Sequence, residues 1–208
     1  MSEGKRRSHT APGEGESVWV VGDLITLKLT SEDTGGAFSL FEGTIPPGGG
    51  PPPHVQHRED ESFYVLEGEF EFLVGEDTIP AGAGSCVHVP SGTLHTFKNV
   101  GTSPSRVLGV LTPGGFEKFF LEVGEPATEG SFAPEGGPDV GRIVEIGQKY
   151  GLEIPPPPPG QQSGFRERLS GNPSRSHTPI QRCSQRLILW LVASVLEPAR
   201  RVFGRYRR

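Results

Sequence analysis

Residues 84–99 read GSCVHVPSGTLHTFKN, and this run predicts two short β-strands joined by a tight turn. Pro90 and Gly92 favour the turn, because proline lacks a backbone donor and glycine accepts sharp bends. The strand after the turn carries His95 and Phe97. Side chains two residues apart on a strand lie on the same side of it. The segment therefore predicts a histidine beside an aromatic ring on one face of a β-structure.

A second informative stretch is GGGPPPHVQHREDESFYVLEG at residues 48–68. His54 and Gln56 are two residues apart, so in a strand they point to the same side. Glu61 has the opposite parity to His54. It can face the same interior only if a bend or bulge near residues 58–60 resets the alternation, and we expect one there. The interior of the predicted structure would then receive side chains from both stretches.

The rest of the sequence up to residue 112 is also typical of an all-β domain. Thirty glycines and 21 prolines favour many tight turns. A hairpin turn is predicted at Glu67-Gly68. About eight strands with turn residues between them fit a sandwich or small barrel better than βαβ units. The clearest strand-like runs are residues 18–21, 24–29, 37–45, 62–66, 69–74 and 106–112.

The pattern changes after residue 113. Residues 116–123 fit either a short helix or a strand that covers part of the barrel. A helix is predicted to begin at Pro138-Asp139, with apolar residues at spacings of three and four. Gly151 fits the end of this helix, and the prolines at 155–159 prevent its continuation. The predicted apolar face consists of Ile143, Ile146 and Tyr150.

Charge divides the chain into two parts. Residues 1–160 hold 10 basic and 23 acidic residues, a net charge of −13, whereas residues 161–208 hold 10 arginines and two glutamates, a net charge of +8. We therefore predict three regions. They are a disordered N-terminal tail at 1–16, one folded domain at 17–155, and a Pro-rich linker with an Arg-rich tail at 156–208 that is disordered or non-native.

Cysteine usage and hydropathy indicate a cytoplasmic protein. Cys86 and Cys183 lie far apart, which offers neither a disulfide framework nor a Cys-based zinc spacing. The N-terminus has no apolar signal region, and the apolar run at 187–196 is too short to span a bilayer. The arginines around that run suit an anionic membrane surface or nucleic acid, although a poorly ordered or non-native extension is the favoured interpretation. No nucleic-acid partner is expected for the folded domain.

Both stretches resemble the paired signatures of the cupin superfamily. The first cupin motif is Gly, five residues, His-x-His, three or four residues, Glu, six residues, Gly. The second is Gly, five residues, Pro-x-Gly, two residues, His, three residues, Asn. The matching residues here are Gly48, His54-Val55-Gln56, Glu61 and Gly68 in the first motif, and Gly84, Pro90-Ser91-Gly92, His95 and Asn99 in the second. The resemblance covers about residues 17–155 and looks most like the small one-domain cupins grouped with quercetin dioxygenase.

The resemblance implies a single jelly-roll β-barrel with a short C-terminal helix and one bound divalent ion, whether Fe, Mn, Ni, Co, Cu or Zn. It implies that His54, Gln56, Glu61 and His95 are the metal ligands, with Glu61 also able to accept a proton. Gln56 departs from the family, which usually has a second histidine there. Mannose-6-phosphate isomerases are cupins that include a Gln among their ligands. Two histidines and one carboxylate also form the set associated with non-haem Fe(II) oxygenases.

Three functions follow from this resemblance. The first is a metal-dependent oxygenase that acts on a small organic substrate, for which an aromatic ring is one option. The second is a sugar or sugar-phosphate isomerase, and the third is a non-catalytic barrel that binds a small molecule. For the oligomeric state, a homodimer is one of the options. Near the site, Glu59 and Asp60 are interpreted as solvated charges, and Cys86 as a small buried residue.

Overall fold

Two antiparallel sheets form the body of the protein in the computed structural model, which describes residues 8–128, 133–134 and 139–156. The predicted all-β architecture is confirmed. The predictions for residues 1–7, for Pro138 and for the tail after residue 156 lie outside the described residues. Within the described part of the chain, no helix is long and apolar enough to cross a membrane.

The elements are numbered along the chain. The first sheet contains, in spatial order, β11 (Glu125–Pro126), β1 (Glu16–Val20), β2 (Asp23–Leu29), β3 (Ser39–Ile45), β10 (Ser105–Thr112), β5 (Asp60–Glu67) and β8 (Cys86–Val89). The second contains β12 (Leu152–Glu153), β4 (His54–Gln56), β9 (Leu94–Asn99), β6 (Glu69–Val74) and β7 (Asp77–Gly82). Three helices accompany them, namely α1 (Ser31–Thr34), α2 (Glu117–Val123) and α3 (Val140–Lys149).

Phenylalanine rings from both sheets fill the core. Phe63 of β5 lies with its ring centre 5.3 Å from those of Phe72 and Phe97, which belong to the second sheet. These rings lie on the inward parity of their strands, so the alternation of apolar and polar residues dictates which side is buried. Aromatic contacts of this kind contribute roughly 0.5–1.5 kcal/mol each beyond burial. The packed rings join the two sheets, and Phe63 and Phe97 lie on the same strands as the predicted ligands Glu61 and His95.

The predicted hairpin at Glu67-Gly68 is wrong. β5 pairs with β10 and β8, whereas β6 pairs with β9 and β7. The turn therefore carries the chain from one sheet to the other. The reason is that both strands bear apolar rows, and these rows face each other across the core, as the contact of Phe63 with Phe72 shows. Gly68 has a φ of +85°, and a Cβ there would lie 1.9 Å from Ser105 Oγ.

Cys86 is exposed, contrary to the expectation of a buried residue. The alternation along β8 explains the difference. Val87 and Val89 point into the core, so Cys86 and His88 point outward. The short strand has one inward row only, and the two valines occupy it.

The C-terminal elements pack onto the strand that carries His54 and Gln56. Residues 117–123 form a helix, which settles the open choice between helix and strand, and the predicted C-terminal helix is confirmed as α3. The side chain of Asp139 accepts a hydrogen bond from the backbone N–H of Arg142 and caps α3. After α3, Leu152 pairs with Gln56 in β12 and β4. The end of the described chain therefore borders the predicted site.

A buried carboxylate, Glu117, joins α2 to α1. It accepts hydrogen bonds from the backbone N–H and hydroxyl of Ser31 and, at 2.7 Å, from the backbone N–H of Gly115. Burial raises the pKa of Glu117, but these hydrogen bonds outweigh burial and hold the pKa below 4.5. The side chain is 1% exposed, so its bonds replace the water that burial removed.

We expect Glu117→Gln to lower the free energy of unfolding by about 1.5–3 kcal/mol near neutral pH, the range for hydrogen bonds to a charged group. Since the folded state lowers this pKa, the stabilisation is present above pH 4.5 and is lost as the pH falls through the folded value. Guanidinium unfolding at several pH values measures the difference from wild type, with the exposed Glu145→Gln as control. A difference that stays constant at low pH contradicts the assignment.

Candidate metal centre

Three predicted ligands meet in the interior. His54 of β4, Glu61 of β5 and His95 of β9 each offer one ligand atom, and these atoms lie within 4.8 Å of one another. The three residues are 8%, 4% and 2% exposed. His54 and His95 are direct cross-strand partners, with ring centres 4.2 Å apart. The structure therefore contains a buried His–Glu–His cluster that could hold a metal ion.

Glu61 reaches this cluster because the chain changes sheet between β4 and β5. Residues 57–59 belong to no strand, and this break resets the alternation where the sequence predicts a bend. β4 lies in the second sheet and β5 in the first. The carboxylate therefore approaches the two histidines from the opposite sheet. Its Oε2 lies 2.9 Å from His95 Nε2.

Backbone carbonyls orient both imidazoles. His54 Nδ1 lies 2.8 Å from Pro52 O, and His95 Nδ1 lies 2.9 Å from Thr93 O. A carbonyl only accepts hydrogen bonds, so each Nδ1 carries the proton and donates it. On His54, Nε2 then provides the lone pair, which is the arrangement that metal-binding histidines usually adopt. On His95, Nε2 faces Glu61 Oε2 at 2.9 Å, and the proton between these two atoms must leave before Nε2 can bind an ion.

The two histidines differ in their electrostatic surroundings. Burial, with the charge of His95 adding to it, lowers the pKa of His54 to about 3, although the bond to Pro52 opposes this. Burial also lowers the pKa of His95, but the hydrogen bond to Glu61 and its charge outweigh burial and raise the pKa above 6.5. His54 is therefore neutral near pH 7, as a ligand must be, whereas His95 forms a buried ion pair with Glu61.

Gln56 supplies an unused oxygen beside the cluster. Its Nε2 donates to Glu61 Oε2 at 3.3 Å. Its Oε1 is buried, and nothing among the described residues donates a hydrogen bond to it. A buried carbonyl oxygen without a partner costs stability, unless an ion or another ligand takes that place. Two imidazole nitrogens, a carboxylate and an amide oxygen fit a divalent metal ion.

A cavity of about 80 Å³ opens beside the cluster. A single water needs roughly 10–15 Å³ on the same scale, so the cavity has room for a small ligand. His54, Gln56, Glu61 and Asp23 are the polar residues in its wall, and none of the residues that line it is a lysine or arginine. The apolar wall consists of Val20, Val21, Ile25, Phe41, Pro51, Pro52, Phe63, Phe97, Phe116, Phe119, Phe120, Ile143, Leu152 and Ile154.

The expectation that Glu59 is a solvated charge is wrong. The break between β4 and β5 turns Glu59 inward, and its Oε2 is buried with no hydrogen-bond partner among the described residues. Burial is the main cause that raises the pKa of Glu59 to about 7. Asp60 is exposed, as expected, and accepts a hydrogen bond from the backbone N–H of Ser91. His57 is exposed as well and bonds to Glu153 at 2.8 Å, away from the cluster.

Sequence reasoning missed Asp23, which lies at the start of β2 and is 4% exposed. It has the same parity as Ile25 and Leu27, which are buried. That parity was the available signal, because a polar residue on the inward row of an apolar strand indicates a polar group in the interior.

Comparison with a family model agrees with the fold. Residues 41–111 match the family model described as a cupin domain. Together with the two-sheet jelly roll around the His–Glu–His cluster, this match shows that the chain contains a cupin domain, so the predicted family is confirmed.

Two curated relatives share the predicted subgroup. The chain is 30% identical over 114 residues to quercetin 2,3-dioxygenase of Bacillus subtilis, an alignment that covers 55% of this chain and 34% of that protein. It is 29% identical over 125 residues to quercetin 2,3-dioxygenase of Aspergillus japonicus, covering 57% and 35%. The chain thus spans about a third of the length of these relatives. Among solved structures, KdgF from Halomonas sp. aligns with a TM-score of 0.49 and 18% identity, covering 54% of this chain and 99% of that one.

Proposed function

We propose that His54, Gln56, Glu61 and His95 bind one divalent metal ion, and that the protein is a metal-dependent dioxygenase for a small aromatic molecule. The observation that carries the proposal is the buried cluster beside a cavity with a mainly apolar wall. The distant similarity to two quercetin 2,3-dioxygenases supports this choice of reaction. An ion bound here would supply Lewis acidity and a binding position for substrate and dioxygen.

The residues of this chain then have distinct tasks. The phenylalanines in the cavity wall hold an aromatic substrate and exclude water from the cluster. Pro52 O and Thr93 O keep the two imidazoles aligned. Glu61 lines the cavity, and its carboxylate is the group that we assign to accept a proton from a substrate hydroxyl.

The two other functions have less support. A sugar phosphate needs cationic partners, and the cavity wall has no lysine or arginine among the described residues. A non-catalytic binding barrel would keep the apolar wall, but it gives no reason for two histidines aligned by backbone carbonyls. Both alternatives become outcomes of the test below.

The test measures oxygen uptake by the full-length protein. Samples loaded separately with Fe, Mn, Ni or Co are mixed with a flavonol panel, and uptake above a His95→Ala control is the expected result. Because His95 completes the cluster, the control should show only the background rate. Metal-bound wild type that consumes no oxygen with any panel member contradicts the dioxygenase and leaves the isomerase and the binding barrel.

We also propose the extent and setting of the domain. β1 and β12 lie near residues 17 and 155, and both pair with strands of the two sheets, which supports a domain at 17–155. The exposed thiol of Cys86 suits a reducing cytoplasm. Self-association as a homodimer stays a prediction, and size-exclusion chromatography with light scattering measures it.

A further inference from the structure

Asp23 is a second polar position in the cavity wall, apart from the four proposed ligands. It belongs to β2 of the first sheet and is 4% exposed. Its Oδ1 is buried, and no donor reaches that oxygen from the described parts of the chain. The residue lines the same cavity as His54 and Glu61.

The surroundings of Asp23 disfavour a charged carboxylate. Burial raises the pKa of Asp23 well above 3.8, and no charged group among the described residues compensates for the lost water. The carboxyl group is therefore protonated more readily than an exposed one, and a protonated carboxyl can donate as well as accept a hydrogen bond. Such a group costs stability unless a ligand pairs with it.

The loop above Asp23 leaves space for its carboxyl group. Gly49 lies over Asp23, and a Cβ at Gly49 would come within 2.9 Å of Asp23 Oδ1. The loop is fixed at this point, because Gly49 O accepts a hydrogen bond from the backbone N–H of Asn99. Glycine at position 49 therefore leaves the carboxyl group room that any larger residue would take.

We propose that Asp23 binds a hydroxyl or carbonyl group of the ligand, and that the ligand is a small phenol-like molecule whose ring packs against the phenylalanines of the wall. This inference rests on the proposed function in taking the cavity as the substrate site. The remaining wall, apart from the proposed ligands, is apolar. A hydrocarbon of the same shape would leave Asp23 unpaired, so the cavity discriminates between a hydroxyl and a methyl group.

A matched pair of probes tests this discrimination, because phenol and toluene differ in one hydroxyl against one methyl. Both are titrated into metal-loaded full-length protein, and the ratio of the toluene Kd to the phenol Kd is compared among variants. Asp23→Leu should lower this ratio at least tenfold, whereas Asp23→Asn should change it less than about threefold, since an amide also donates and accepts. Ser39→Ala is the control, because Ser39 Oγ is also buried without a partner but does not line the cavity.

Metal content and stability separate a binding role from a structural one. Both Asp23 variants should keep the metal content of wild type and melt at the same or a higher temperature, because they remove a buried carboxyl group. A ratio that Asp23→Leu leaves within threefold of wild type overturns the proposal. So does a ratio that falls in His95→Ala but not in Asp23→Leu, because the hydroxyl would then bind at the metal centre.

An NMR measurement on wild type tests the same proposal without depending on whether a variant folds. Phenol should shift the carboxyl ¹³C resonance of Asp23, and toluene should not. An unchanged resonance at saturating phenol overturns the proposal. Failure of the dioxygenase is visible separately, as absent oxygen uptake in a protein that still prefers phenol through Asp23.

Discussion

His95→Ala is expected to reduce bound metal from about one ion per chain to a trace, below about a tenth, in the full-length protein. The substitution removes one imidazole nitrogen, and it also removes one of the two partners of Glu61 Oε2, the one at 2.9 Å. The remaining donors are then His54, Glu61 and Gln56, of which the last is neutral and a weaker ligand than imidazole. Removal of a direct ligand should lower the metal affinity by more than the 10–100-fold that follows removal of a group that only supports a ligand. Elemental analysis after dialysis measures the loss.

Two further variants make this result specific. His88→Ala removes an exposed histidine that bonds to Ser62 on the outside of β5, and it should leave the metal content unchanged. Gln56→His replaces the weakest donor by imidazole at a buried position that faces Glu61. The affinity of this variant for the metal ion should therefore exceed that of wild type by about tenfold or more. Metal retained by His95→Ala contradicts the assigned centre. Metal found in Gln56→His but absent from wild type means that this barrel has lost its ion.

Gly50→Ala is expected to lower the free energy of unfolding by about 3 kcal/mol or more, the range for strained backbone combined with steric overlap. Gly50 has a φ of +140°, and a Cβ there would lie 2.0 Å from the carbonyl oxygen of Phe97. That oxygen belongs to the backbone of β9 and cannot rotate away. Because β9 also carries His95, relief of the overlap must displace either the loop or the site strand.

Gly48→Ala is the matched control from the same loop. Gly48 has a φ of +74°, but a Cβ there would meet nothing within 4 Å. Gly48→Ala should therefore lower the free energy of unfolding only by the strain of a left-handed backbone, about 1–2 kcal/mol. Guanidinium unfolding of the two variants separates close approach from backbone strain. Equal losses contradict the explanation by contact with Phe97.

Much of the cluster is predictable from the sequence because it depends on parity and turns. His54 and Gln56 share a strand face, and His95 follows a turn that Pro90 and Gly92 form, so local chemistry assigns each residue its strand face. That the two strands meet in one site was implied by the resemblance to the paired cupin motifs and not by local chemistry. The bend before Glu61 is also predictable, since the carboxylate has the wrong parity without it. The spacing cannot show which backbone carbonyls orient the rings, because those contacts depend on the loops that precede each strand.

The errors arose where pairing depends on distant parts of the chain. Glu67-Gly68 has the local chemistry of a hairpin, yet β5 and β6 pair with strands that come later in the sequence. Glu59 resembles a solvated charge because two acidic residues follow it. Asp23 resembles an ordinary polar residue at a strand start until the cavity is known. In each case tertiary packing overrides a plausible local interpretation.

The pairing of β12 with β4 determines the order in which the site can be completed. β4 has three residues, with β9 on one side and β12 on the other. Its outer neighbour comes from the end of the described chain, which also contributes Leu152 and Ile154 to the cavity wall. His54 and Gln56 therefore precede, by about a hundred residues along the chain, the strand that pairs with the outer edge of β4. A chain that ends before residue 152 would contain every proposed ligand and still lack this edge strand and the wall residues Leu152 and Ile154.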